Sequence, residues 1–443
     1  MEKNVFIKTW GCAANKAESE IMAGILSKLG FYMVRSYESA QIVIFNTCGV
    51  KQTTKNKILF ELKRTQQEMK DKIFIVTGCL PEIDYKAVKE AIPSANIIST
   101  NYITKIGTFI RKILDGERIE ILGKEKSIKV GLPKIRENKV IDIVPVCSGC
   151  LMNCSYCATK LAKGDLFSYP PTKIIQEIKS MKNYGIKEFW LTGQDVSAYG
   201  FDFNYEYKLP DLLRDITDEI RGNYFIRIGM LNPIHLKVYL ERFIKELKKD
   251  NIFKFVHIPV QSGSDKILNL MKRGYRASDF IKIVKRIREE VPDVTIWTDI
   301  IVGFPEETED DFEETKKLIL KTKPDWINVS RFSSHPGTEA HKMKQVKSEI
   351  KKRRSRELSK IVEEIAYERN KRWSNRKGKV LIDEVNIKER NIIGRNYAYK
   401  QVVFPLNKNM IGKFVNVRIK EVKPTHLVGK LDFLSLSPKK LKH

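Results

Sequence analysis

Cys150, Cys154 and Cys157 stand in the run VPVCSGCLMNCSYCATK at 144–160 with the spacing C-x3-C-x2-C, and Cys147 lies three residues ahead of them. Thiols gathered this closely close a disulfide, grip zinc or hold an iron–sulfur cluster. A structural zinc site takes four ligands, usually from C-x2-C pairs or with histidines, and no histidine is near this run. Ferredoxin-type runs use other spacings and spend four thiolates per cluster. Three thiolates on a four-iron cluster leave one iron without a protein ligand. That open position is what a catalyst needs and an electron carrier does not. Cys147 reads as a spare thiol beside the cluster, with an interchangeable ligand or a redox-sensitive neighbour as the alternatives.

The other three cysteines are far apart in sequence but alike in setting. Cys12, Cys48 and Cys79 follow the apolar runs NVFIKTW, QIVIFNTC and KIFIVTGC, each beside a glycine (Gly11, Gly49, Gly78). Glycine there is expected to let backbone approach a bulky group. If the runs are parallel strands, each thiol sits at a carboxyl end, where open α/β sheets bind ligands. Three thiols could then converge on a second metal site. Three buried small hydrophobes is the other reading.

The elements that must position these groups follow from periodicity. Over 1–115 strand-like runs alternate with helical ones, and Ile21, Met22, Ile25, Leu26 and Leu29 share one helical face. This predicts a parallel, flavodoxin- or Rossmann-like sheet flanked by helices. Charged residues 116–140 read as a connector. From 141 the rhythm restarts in VIDIVPV, KEFWLTG, YFIRIGM, KFVHIPV, VTIWTDIIVGF and WINVSRF. Six such units predict an open, partial (β/α)6 barrel over 141–372, with its site at the strand C-termini. Polar groups collect there, in TGQD, GMLNP, PVQSGS, GFPEET and FSSHPGT. Residues 345–373 form a long charged helical brace. Beyond it, short β segments within 373–443 predict a small β-barrel of the kind used for RNA.

Bulk properties narrow the options. A chain of 443 residues with 42% hydrophobic content supports about three domains. No stretch reads as a signal peptide or membrane span, so a cytoplasmic location is expected. In that reducing compartment a disulfide is disfavoured, and seven cysteines would leave one unpaired. Lys and Arg number 81 against 54 acidic residues, a net charge of +27, and residues 374–443 carry 16 against 5. Concentrated positive charge predicts a nucleic-acid partner.

With Tyr156 ahead of its last cysteine, the C-x3-C-x2-C loop resembles that of the radical S-adenosylmethionine enzymes. The resemblance implies S-adenosylmethionine chelating the open iron and cleaved by an electron from the cluster to a 5′-deoxyadenosyl radical, which abstracts hydrogen from a C–H. More specifically, TWGCAANKAESEIMAG at 9–24, FNTCGV at 45–50 and VTGCLPE at 76–82 are similar to the N-terminal domain of the methylthiotransferases. LTGQDVSAYG, RIGMLNP, HIPVQSGSDKILNLMKRGY, TDIIVGFPEET and FSSHPGT are similar to that family's central domain, and 373–443 to its TRAM domain.

The family resemblance implies a second [4Fe-4S] cluster on Cys12, Cys48 and Cys79, beside the radical [4Fe-4S] cluster on Cys150, Cys154 and Cys157. It also implies S-adenosylmethionine contacts from Gln194, Asp195, Asn232, Gln261, Ser262 and Arg331, each of which could instead stabilise a turn. Three branches of the family act on isopentenyladenosine in tRNA, on an aspartate of a ribosomal protein, and on threonylcarbamoyladenosine at position 37 of tRNA. TWGC with NKAESEIMAG resembles the third, and Ala13-Ala14 replaces the Pro-Lys pair of the ribosomal branch. Eukaryotic members carry a hydrophobic C-terminal anchor, unlike the basic SPKKLKH here. The implied partners are tRNA and a ferredoxin- or flavodoxin-type electron donor, with no membrane and a monomeric chain. Tyr397, Tyr399 and Phe404 are expected to fill the small barrel rather than stack on bases. The alternative from another class is a zinc-stabilised, non-catalytic RNA-binding protein.

Overall fold

A computed structural model describes residues 3–432, and the basic tail 437–443 lies outside the described residues. The N-terminal sheet has six parallel strands: β1 (Asn4–Thr9), β2 (Tyr32–Met33), β3 (Ile42–Thr47), β4 (Ile73–Gly78), β5 (Asn96–Ile98) and β6 (Glu120–Ile121). Their order is β2-β1-β3-β4-β5-β6, so β1, β3 and β4 lie side by side. Every residue of β3 is buried, which is why it reads as one apolar run rather than an alternating one. Ile42 and Ile44 pack under Met22 and Leu26 of the helix Ala13–Lys28, while Val43 and Phe45 pack on the other face against Ile58 and Leu62. Of the expected helical face, Ile21, Met22 and Leu26 are fully buried. The edge strands β2 and β6 have two residues each, too few for a periodic signal, and β6 falls within the stretch read as a connector.

The central strands are β7 (Ile141–Pro145), β10 (Glu188–Thr192), β11 (Phe225–Ile228), β12 (Phe255–His257), β13 (Thr295–Val302) and β14 (Trp326–Arg331). Two three-stranded parallel sheets, β7-β10-β11 and β12-β13-β14, are joined by parallel bridges at Ile226–Ile252 and Met230–His257. The result is an open arc of six parallel strands. A two-residue antiparallel ladder, β8 (Cys147–Ser148) with β9 (Phe167–Ser168), braces the loop after β7.

Strands β15 (Lys377–Asn386), β16 (Asn391–Asn396), β17 (Gln401–Pro405), β18 (Phe414–Val422) and β19 (Leu427–Leu431) close a barrel. This barrel plugs the central arc at its strand N-termini. Tyr399 packs on Phe253 and Phe255, and the Arg227 guanidinium lies 5.1–5.3 Å from the ring centres of Trp190, Phe255 and Tyr399. Asp325 gathers Lys400 at 3.0 Å and Arg372 at 2.8 Å. Phe404 is in the barrel core, and the Tyr397 hydroxyl donates to Asp293 at 2.6 Å. All three aromatics are therefore committed to packing. The outer face presents Lys377, Lys379, Lys388, Lys408, Lys413, Lys420 and Lys430 to solvent. Among the described residues no helix is long and apolar enough to cross a membrane.

Candidate active site

The loop carrying Cys150, Cys154 and Cys157 leaves the C-terminal end of β7 and is fixed along its length. The Cys150 N–H donates to the Gly164 carbonyl at 3.1 Å, and Ser155 is tied to Met271 and Leu270 by bonds of 3.2 and 2.7 Å. Gly149 has φ +70, and a Cβ there would stand 1.9 Å from the Asp165 carbonyl oxygen, so only glycine lets the loop fold back. Cys157 caps the helix Ala158–Lys163, accepting from Lys160 N–H at 3.4 Å.

Arg273 donates to Cys154 Sγ at 3.2 Å. Its remaining bonds go to the Tyr275 hydroxyl and the Pro259 carbonyl, so no carboxylate offsets this buried guanidinium. Burial pushes the Cys150 thiol up to about 12, with Asp195 and the neighbouring thiols adding to the shift, and burial also raises Cys157. A metal cluster would have to displace those protons on binding.

Cys12, Cys48 and Cys79 follow β1, β3 and β4, and the adjacency of these strands brings the thiols together. Asn15 is their hub. Its Nδ2 donates to the carbonyls of Trp10 at 2.9 Å and Thr47 at 3.0 Å, while its Oδ1 lies 3.9 Å from Cys12 Sγ and 4.0 Å from Cys79 Sγ. A Cβ on Gly11 would stand 3.0 Å from the Cys48 Cβ. Burial pushes Cys79 up to about 12 and raises Cys48. The glycines serve a different end from the one expected. A Cβ on Gly78 would meet the Thr47 backbone at 2.2 Å and one on Gly49 the Ile83 side chain at 2.8 Å, so they permit close packing of neighbouring chain rather than approach of a bound group.

The two trios approach each other where Cys79 and Ile83 pack against Ala158 and Ala162 of the helix that Cys157 caps, and a narrow cleft lies at the same domain boundary. Ala14, Glu18 and Lys129 line it on the N-terminal side, and Pro145, Cys147, Ser148, Lys163, Thr192 and Gln194 on the central side. Glu18 accepts from Lys129 and from Lys163, both at 2.6 Å, and from Thr100 at 2.8 Å. Burial alone would raise the Glu18 carboxyl, but the two ammonium groups outweigh it and hold it at about 2. Farther round, His335 Nε2 donates to the Val50 carbonyl at 3.0 Å, clamping the Cys48 loop onto the end of β14.

The six residues expected at S-adenosylmethionine divide by what their side chains already do. Asp195 accepts from Ser197 and lies 2.8 Å from His235 Nδ1. Asn232 caps the turn Pro233–Leu236, and Ser262 accepts from Ser264 N–H at 3.2 Å. By contrast, the Oε1 atoms of Gln194 and Gln261 are buried without a partner. Gln261 also holds φ +73, a strained backbone that clusters at ligand sites. Arg331 is exposed at the end of β14.

Sequence reading missed Asn15, Glu18, Lys129, Lys163 and Arg273, although Asn15, Glu18 and Arg273 lie in stretches quoted for their cysteines or motifs. It also missed His257, Asp299 and Asn328, which join across three adjacent strands by bonds of 3.0 and 2.7 Å. Cys147 is buried, its Sγ 3.8 Å from the Asp195 carbonyl and packed against Gly193. The residues present fit the expected clusters: three free thiols per trio, unpartnered amide oxygens beside one of them, and a buried cation near each. Among the described residues, no three His, Cys, Asp or Glu side chains are grouped closely enough to hold a single metal ion.

Comparison with known proteins gives the following. The Radical SAM superfamily matches residues 144–319, the TRAM domain matches 375–431, and the family described as Uncharacterized protein family UPF0004 matches 4–100. The chain is 39% identical over 430 residues to the Pyrococcus horikoshii "Probable threonylcarbamoyladenosine tRNA methylthiotransferase", covering 96% of this chain and 99% of that one. It is 36% identical to the Drosophila melanogaster threonylcarbamoyladenosine tRNA methylthiotransferase (97% and 78% covered) and 34% identical to the human protein of that name (95% and 72%). Among solved structures, the radical S-adenosylmethionine methyltransferase TsrM from Kitasatospora setae superposes with a TM-score of 0.58 at 14% identity, covering 76% of this chain and 75% of that one. That likeness concerns the fold.

Proposed function

Because the chain belongs to the threonylcarbamoyladenosine tRNA methylthiotransferase family of radical S-adenosylmethionine enzymes, we propose that its two trios form one active site for 2-methylthiolation of N6-threonylcarbamoyladenosine at position 37 of tRNA. The observation that carries this reading is that Cys79 packs against Ala158 and Ala162 of the helix that Cys157 caps, a junction bridged by the buried contact of Glu18 with Lys163. When bound, S-adenosylmethionine on a [4Fe-4S] cluster at the radical trio would supply the hydrogen-abstracting radical, and a second cluster at the N-terminal trio would hold the sulfur, with the methyl group coming from a second S-adenosylmethionine.

The chain's own residues do the rest. Cys150, Cys154 and Cys157 hold the first cluster, with Arg273 positioned by its donation to Cys154 Sγ. Gln194 and Gln261 offer unpaired amide oxygens to the hydrogen-bond donors of S-adenosylmethionine, and Arg331 offers its charge to the carboxylate. Asp195, Asn232 and Ser262 act from behind by fixing the turns that carry the site. Cys12, Cys48 and Cys79 hold the second cluster, positioned by Asn15. Exposed lysines of the closed barrel take tRNA phosphates. The working units in this reading are 1–115, the connector 116–140, 141–372 and 373–443, in a cytoplasmic monomer reduced by a ferredoxin or flavodoxin.

The test is mass spectrometry of tRNA nucleosides after anaerobic reaction with S-adenosylmethionine and dithionite. The methylthio derivative of threonylcarbamoyladenosine is expected. Product on isopentenyladenosine or on a ribosomal-protein aspartate instead overturns the choice of substrate, and a colourless, zinc-loaded protein overturns the cluster assignment.

A further inference from the structure

Lys163 lies where neither domain alone would place a charge. It ends the helix that Cys157 begins, so it belongs to the central domain, yet its ammonium is buried against Glu18 and Thr100 of the N-terminal domain. Lys129 meets the same Glu18 oxygen at 2.6 Å and the Thr100 carbonyl at 3.0 Å. All three charged side chains are 5% exposed or less. Two ammonium groups therefore share one carboxylate, and a surplus positive charge is left in a region closed to water.

A buried charge of this kind requires a counter-charge. Among the described residues, the hydrogen bonds of both lysines go only to Glu18 and Thr100. The N-terminal trio lies beside this charge: Cys79 packs against Ala158 and Ala162 of the helix that ends at Lys163. Both lysines also line the cleft that reaches Cys147 and Gln194 on the other side.

We propose that Lys163 is a positioning residue for anionic sulfur at the N-terminal trio. Its charge, carried across the domain boundary by the helix that grows out of the radical trio, favours a small soft anion (sulfide or a thiolate) at the N-terminal trio. This rests on the reading that Cys12, Cys48 and Cys79 hold a cluster. It adds that the central domain supplies the electrostatics of that cluster.

The test uses the full chain with Cys150, Cys154 and Cys157 replaced by alanine, so that only the N-terminal trio can hold iron. The cluster's midpoint potential is followed by electron paramagnetic resonance, and binding of inorganic sulfide by the visible spectrum. In that background Lys163→Gln is expected to keep about four irons per chain. Its potential should shift negative, and its sulfide affinity should fall about 30-fold, the effect of one unit charge across a few ångströms at intermediate dielectric. Lys163→Arg should restore both. Glu18→Gln removes the opposite charge and should move the potential the other way.

Unchanged potential and sulfide affinity in Lys163→Gln overturn the proposal. So do shifts of the same sign in Lys163→Gln and Glu18→Gln, which would mark a packing defect. If Lys163→Gln loses its iron, Glu18→Gln decides: a positive shift supports the proposal and no shift overturns it. An iron-free parent protein overturns the cluster reading and the proposal with it, a failure seen before Lys163 is altered.

Discussion

The two thiol trios reach similar chemistry by opposite routes. Cys150, Cys154 and Cys157 lie in one loop, held by a two-residue ladder and a glycine that lets the chain double back. Cys12, Cys48 and Cys79 come from three strand ends and meet only because β1, β3 and β4 are neighbours in the sheet. The local trio takes its cation, Arg273, from elsewhere in its own domain, with a cysteine sulfur as its partner. The dispersed trio takes Lys163 from the other domain and balances it in part with Glu18. A site made by local spacing can be assembled early and cheaply in entropy, whereas one made by three long loops depends on the finished sheet.

That contrast sets an order of expected effects. Replacing Cys150, Cys154 and Cys157 by alanine should abolish S-adenosylmethionine cleavage and halve the iron, from about eight to about four per chain. Full iron retention would show that these thiols are not ligands. The triple replacement of Cys12, Cys48 and Cys79 should lose the methylthio product while 5′-deoxyadenosine still forms, read by chromatography of the same reaction. Loss of both would mean that the trios do not work independently.

Arg273→Met should slow S-adenosylmethionine cleavage by roughly two orders of magnitude, about 3 kcal/mol of lost pairing to a buried charge. The spectrum of the N-terminal cluster should be unaltered. Glu18→Gln should lower the stability of the iron-free protein by about 3 kcal/mol at pH 7. Glu18 has its carboxyl depressed to about 2 from 4.5, so this contribution is complete above about 4.5 and disappears as pH falls toward 2. Melting curves of the two proteins should therefore converge over that interval. Arg273 pairs with no carboxylate, so Arg273→Met should show no such acid limb. The smallest effect on either trio is expected from Lys377→Gln with Lys413→Gln on the closed barrel. Each lost phosphate contact should reduce the salt slope of tRNA binding by about one, with uncoupled cleavage unchanged.

Legibility followed the same division. The C-x3-C-x2-C spacing was readable because all its ligands lie within one loop. The strand ends at Cys12, Cys48 and Cys79 were readable because buried parallel strands leave unbroken apolar runs such as IVIF, but nothing local says which strands are neighbours. Edge strand β2 escaped notice because two residues have no periodicity. Lys163 and Glu18 stand 145 positions apart, and Arg273 and Cys154 stand 119 apart. Pairings at such separations leave no trace in spacing. The glycines were read correctly as sites of close approach, but the partner proved to be the protein's own chain. The aromatics of the closed barrel were expected inside it. Phe404 fills its core and Tyr397 packs against that core while reaching Asp293, whereas Tyr399 turns outward to seat the barrel on its neighbour.

Residue type and spacing by themselves determined the thiol inventory, the run of strands and helices, and the concentration of positive charge toward the C-terminus, because each is a property of nearby residues. The tertiary structure alone decided that Cys79 packs on the helix that Cys157 caps, that a lysine of one domain lies buried in the other, and that the basic barrel seals the strand N-termini away from the mouth. Those outcomes depend on which surfaces meet once water is excluded, and no interval along the chain encodes that.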